Sequence, residues 1–280
     1  MARLGPDFIA AQKSWLYPKQ EMQWPWRAAI FFVLLFVLNT LLQFAFGAVV
    51  YKFGLGHEIK QLTSPDSMVD FAKASIIGLF PASIVVVLLA IYFAKFGIAN
   101  RAGLLPLRLP KLGFWGWVFV IGGFTVAMYL AFIGVFAALG IDPATYSPTG
   151  SGLGKDNSQA GLVEKTMADL ANEPWLFALA IPGVTIAVPL AEEFIFRGAL
   201  FAGLVNSPVG KVGAVVITAA LWSLAHAGAA PWVFVGVLFI MGLVLGVLLL
   251  RFGSLWVTVC CHGVWNALSS LALFGAGHHS

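Results

Sequence analysis

Long apolar runs separated by short polar stretches set the pattern of this chain. Several run uninterrupted for the roughly 20 residues a helix needs to cross a bilayer. Seven spans are predicted: Ala28–Val50, Ala74–Ala94, Phe114–Ile141, Trp175–Leu204, Val212–Ala227, Trp232–Leu250 and Leu255–Phe274. The fifth is short, and Pro182 and Pro189 should bend the fourth. The expected fold is therefore all-α: one polytopic transmembrane helix bundle over residues 1–280, with neither an internal repeat nor a second domain.

Composition agrees. Of the 280 residues, 60% are hydrophobic and only 10% are charged, where a soluble domain carries about 25%. The net charge of +4 is spread over loops, which points away from nucleic acid and towards orientation in the lipid bilayer. Cys260 and Cys261 are neighbours on a helix and point apart, so a disulfide framework is excluded. Both read as packing residues, with zinc ligation the minor alternative. Residues 1–27 lack the pattern of a cleavable signal. They read as an interfacial segment anchored by Trp15, Tyr17, Trp24 and Trp26.

The loops predict orientation. Lys95, Arg101, Arg108 and Lys111 lie between spans two and three with no acid among them. The next loop holds Asp142, Asp156, Glu164, Asp169 and Glu173 against Lys155 and Lys165. The positive-inside rule then places the N-terminus and residues 95–113 in the cytoplasm of a multi-pass cell-membrane protein. Arg197, Lys211 and Arg251 are expected on that same side. In the outer loop, "SPTGSGLGKDNSQ" has no preceding strand and no Gly-Lys-Ser/Thr ending, so it reads as linker. The following stretch to residue 172 suggests a short interfacial helix, with Leu162, Val163, Met167 and Leu170 on one face.

Against this background the segment "AEEFIFRG" (191–198) stands out. Ionisable groups inside a span cost at least about 2.5–3.5 kcal/mol on insertion scales and usually serve a function. The candidates are Glu192, Glu193 and Arg197 in span four, His226 in span five, and His262 with Asn266 in span seven. Glu193 and Arg197 are four apart and can pair on one helix face, leaving Glu192 free to point elsewhere. Trp222 and His226 are also four apart, as are His262 and Asn266. Glu192 lies 12 residues from Leu204, His226 lies 15 from Lys211 and His262 lies 11 from Arg251. These are depths of roughly 16–22 Å, near the middle of a core about 30 Å thick. Three spans thus bring polar groups to one level, where they can activate a water and stabilise an oxyanion. Gly242 and Gly246 form a small-xxx-small packing surface.

At these residues the chain resembles the CPBP family, the CAAX proteases and bacteriocin-processing enzymes also called Abi. The motifs stand as "EEFIFR" (192–197), "WSLAH" (222–226) and "HGVWN" (262–266), in the family's order. The run "GLVLGVLLLRFGSLWVTVCCH" into the last motif is similar too, and the likeness covers about residues 175–270. The family's second motif usually begins with Phe; here it begins with Trp222. The resemblance implies seven or eight spans around a polar catalytic cavity between spans four, five and seven. It implies an intramembrane endopeptidase acting on a membrane-anchored or lipidated, including prenylated, peptide or protein. Glu192 would be the catalytic carboxylate, His226 would lie near the attacking water, and His262 and Asn266 would bind that water or the oxyanion. Glu193 and Arg197 would hold the site together. Both metal-free and metal-dependent mechanisms are compatible with it. Glu192, His226 and His262 could ligate zinc, but there is no His-Glu-x-x-His, and the metal-free reading is preferred. A proton- or ion-coupled transporter and a non-catalytic scaffold or immunity protein are the rival readings.

Overall fold

The computed structural model describes residues 4–18, 25–58, 64–96, 105–142, 166, 169–170, 172–227 and 230–277. Trp24, the side chain of Trp26, the linker at 147–159 and most of the expected interfacial helix lie outside them, as do Arg101 and the side chain of Lys95. The described residues hold helices and no strand. A short helix α1 (Pro6–Lys13) precedes α2 (Pro25–Val49), α3 (Pro65–Phe96) and α4 (Gly113–Leu139). The long composite helix α5 runs over Pro174–Val205. It is followed by α6 (Gly210–Leu224), α7 (Trp232–Phe252) and α8 (Leu255–Gly277).

Among the described residues, five helices are long and apolar enough to cross a membrane: Arg27–Gly54, Asp66–Tyr92, Gly113–Leu139, Pro174–Val205 and Trp232–Phe252. The fifth and seventh of the expected spans correspond to α6 and α8. Helix α6 is apolar but has only 15 residues. Helix α8 has 23 residues and carries His262 and Asn266. The helix that carries the second expected span begins at Pro65, because a proline suits the first helical position whatever the polarity of the next turns. It therefore includes Asp66, Asp70 and Lys73.

Helix α5 is the axis of the bundle, touching α2, α3, α6 and α8. Around its two prolines the helix leaves the regular α register. The helix switches to π register over Gly183–Ala187 and again over Glu193–Leu200, with a short α segment (Val188–Glu192) between. In the first π turn the Val188 N–H bonds back to the Gly183 carbonyl, five residues away. The next bond in that register would need an N–H on Pro189, which has none. The Val184 carbonyl is thus left for a partner on another helix. Small residues seat the neighbours closely: a Cβ on Gly242 of α7 would lie 2.8 Å from that of Ala219 on α6. One on Gly246 would lie 3.0 Å from a Val215 methyl. The Gly242–Gly246 face is the α6–α7 contact.

Charges sort to the two ends of the bundle. At one end, Arg108 donates to Asp7 (2.8 Å) and to the Phe252 carbonyl (3.3 Å). Arg251 donates to the Ala11 carbonyl (3.3 Å) and lies over Trp15, which Lys211 also approaches. Leu16 and Tyr17 donate their N–H groups to Arg251 and Leu250. The N-terminal segment is thus hydrogen-bonded to the α7–α8 corner. Tyr17 is buried against Phe201, whereas Trp15 is exposed. At the other end, buried Lys73 donates to Glu173 (2.8 Å) and also faces Asp169 and Asp70, tying α3 to the start of α5. Arg197 joins neither end: it is wholly buried inside the bundle, because Glu193 offers it a partner there.

Candidate active site

The second π turn presents Glu193 and Arg197 inward, where both are fully buried. Arg197 Nη1 donates to Glu193 Oε1 at 3.0 Å. The same oxygen meets His262 Nδ1 of α8 at 3.1 Å. A carboxylate only accepts, so Nδ1 carries the proton in this pair. The Arg197 guanidinium also stacks 4.7 Å from the Trp222 ring. Among the described residues, Glu193 Oε2 and Arg197 Nε and Nη2 have no hydrogen-bond partner in this buried site.

Glu192 sits one residue earlier and points between three side chains. Trp222 Nε1 donates to Glu192 Oε2 at 2.7 Å. His226 Nε2 lies 3.8 Å from Oε1, and His262 Nε2 lies 3.9 Å from Oε2. Both gaps exceed a direct hydrogen bond. The Trp222 ring meets His226 and His262 edge-to-face, at 5.1 and 5.4 Å between centroids. Helix α6 ends at Leu224, so His226 occupies a turn beyond it rather than the interior of a span. The short α6 places that turn at the level of Glu192. His226 Nδ1 lies 2.8 Å from the Trp222 carbonyl. A carbonyl only accepts, so Nδ1 holds the proton and the Nε2 of the neutral ring is a bare acceptor aimed at Glu192.

Asn266 is placed differently from the other three. Its Nδ2 donates to the Val184 carbonyl at 3.0 Å, the group that Pro189 leaves without a backbone donor. One turn back on the same face of α8, Gly263 lies against the Thr185 carbonyl, 2.5 Å from where a Cβ would stand. The structure thus gathers Glu192, Glu193, Arg197, His226 and His262, and commits the Asn266 amide to the backbone of α5. Exposure falls in sequence through the cluster: 32% for the His226 side chain, 19% for Glu192, 3% for His262 and none for Glu193. The His226 side of the cluster is its most exposed.

Among the described residues no three His, Cys, Asp or Glu side chains are grouped to hold a metal ion; both cysteines are free thiols. Sequence reasoning overlooked Trp222 as a donor. The available signal was an indole N–H in an apolar helix, a group that must find an acceptor when buried.

Residues 174–268 match the family model described as type II CAAX prenyl endopeptidase Rce1-like. This stretch carries an Rce1-like domain, as the CPBP resemblance implies. The comparisons with curated proteins and with solved structures find no match. All six expected site residues fall inside the Rce1-like stretch, on or beside α5, α6 and α8. The apolar helices and this likeness over one stretch together point to a multi-pass membrane protein.

Proposed function

We propose that this protein is an intramembrane endopeptidase that hydrolyses a peptide bond of a membrane-anchored or lipidated substrate with a water activated by Glu192. The observation that carries the reading is the approach of Glu192 Oε1 and His226 Nε2 to 3.8 Å, both of them acceptors when the imidazole is neutral. Two acceptors at that separation repel unless a donor lies between them, and a water donates one proton to each. Its oxygen lone pairs are then free for a carbonyl carbon approaching from the open side. Glu192 takes one proton as the C–O bond forms and the carbonyl electrons move onto oxygen. The same proton passes to the leaving amine as the C–N bond breaks. His262 faces the site through Nε2, with Nδ1–H held by Glu193. It donates to the oxyanion when doubly protonated, a form in which Glu192, Glu193, Arg197 and His262 carry no net charge. Losing one such donor typically costs about 100–1000-fold in rate. Asn266 acts chiefly by fixing α8 against α5. The N-terminus and residues 95–113 are cytoplasmic.

The test begins with membrane-peptide proteomics of cells carrying the wild-type protein against Glu192→Ala. Purified protein in detergent is then assayed on the peptide so found. Cleavage should vanish in folded Glu192→Ala, His226→Ala and His262→Ala. Full activity in Glu192→Ala, or solute flux in proteoliposomes without cleavage, would overturn the proposal. Activity lost to a chelator and restored by zinc would replace the metal-free mechanism by metal catalysis.

A further inference from the structure

Trp222 links every charged part of the site. Its indole N–H donates to Glu192 Oε2 at 2.7 Å, its ring lies under the Arg197 guanidinium, and both histidine rings meet its edges or face. It is only 1% exposed, so the N–H cannot turn to water instead. Without that bond the Glu192 carboxylate could rotate about its last torsion, a broad and weakly hindered one. It would then present either oxygen to either imidazole. With Oε2 held by the indole, only Oε1 faces His226.

We infer that Trp222 is a positioning residue of the hydrolytic site, whose indole N–H locks the Glu192 carboxylate in the rotamer that leaves Oε1 for the water shared with His226. The inference rests on the endopeptidase reading for its kinetic consequence, but the hydrogen bond itself is independent of any activity. A hydrogen bond to a charged group contributes on a scale that corresponds to about 10–100-fold in rate when it is lost from the reactive arrangement. Trp222 touches neither the carbonyl nor the water, so its loss should reduce turnover and leave substrate affinity nearly alone.

Trp222→Phe removes the N–H and keeps an aromatic ring for the arginine and the histidines. The expected result is a fall in kcat of about 10–100-fold with KM within about twofold of wild type. A parallel measurement does not need turnover. In a proton–nitrogen correlation spectrum of the 10 tryptophan indoles, the peak that Trp222→Phe abolishes should be shifted far downfield by its charged acceptor. It should move upfield in Glu192→Gln. A Trp222→Phe protein with wild-type kcat, or one whose KM rises while kcat holds, would overturn the inference and leave Trp222 a packing residue. So would an indole peak indifferent to Glu192→Gln. If Trp222→Phe fails to fold, the Glu192→Gln spectrum decides, with the Trp222 peak assigned by selective labelling. If wild-type protein cleaves nothing, the endopeptidase reading fails, and the indole shift still shows whether Trp222 holds Glu192.

Discussion

At the scale of single residues, the two adjacent glutamates are held by different forces and should fail differently. Glu193 shares one oxygen between Arg197 and His262 with no exposure to solvent. Replacing it by Gln leaves the Arg197 charge buried and uncompensated, a loss worth about 3–5 kcal/mol for a broken buried pair. Glu193→Gln should therefore show a lower melting temperature in detergent and a lower yield of folded protein. Glu192 is partly exposed and receives a neutral donor, so Glu192→Gln should fold nearly as wild type while losing hydrolysis. Equal loss of folded protein in both variants would contradict this division, and fluorescence-detected thermal unfolding reads it directly.

Helix α5 shows how one element turns local sequence into a site. Each of its prolines removes a backbone donor, and the first π turn, Gly183–Ala187, lies between them. Such turns commonly accompany functional sites. The carbonyl freed by Pro189 belongs to Val184, and Asn266 supplies the missing donor from α8. Asn266→Ala should then cost about 1 kcal/mol, the loss of a hydrogen bond to a part-buried carbonyl. In a Pro189→Ala background the backbone can satisfy Val184 itself, so the same change should cost less. A double-mutant cycle measures the difference; equal costs in the two backgrounds would mean that Asn266 acts elsewhere. The prolines, the paired glutamates and the His-x-x-x-Asn spacing were all legible in the sequence. The partner of Asn266 was not, since it depends on which carbonyl the π register orphans. Nor was the end of α6 at Leu224: the apolar run continues to Ala227, and only packing places His226 in a turn.

Over the whole molecule, the apolar runs announced a helical membrane bundle, and five of the helices have the length and composition to cross. The sequence did not reveal that the N-terminal segment is part of the structure. The Asp7–Arg108 pair spans 101 positions, and Leu16 and Tyr17 bond to the α7–α8 corner. Those contacts place Arg108, Lys211 and Arg251 at one end of the bundle, while Glu173, Asp169 and Asp70 surround Lys73 at the other. A cationic end is retained on the cytoplasmic side during insertion, so that end should face the cytoplasm. A cysteine introduced at Lys111 should be protected from an impermeant thiol reagent in intact cells, and one at Ser151 should react. Each variant is built on a Cys260→Ala, Cys261→Ala background to remove the two native thiols. Permeabilised cells should label at both positions, which shows that protection at 111 comes from the membrane and not from burial. The reverse pattern in intact cells would invert the protein and turn the His226 side of the site, at the α6–α7 turn, towards the cytoplasm.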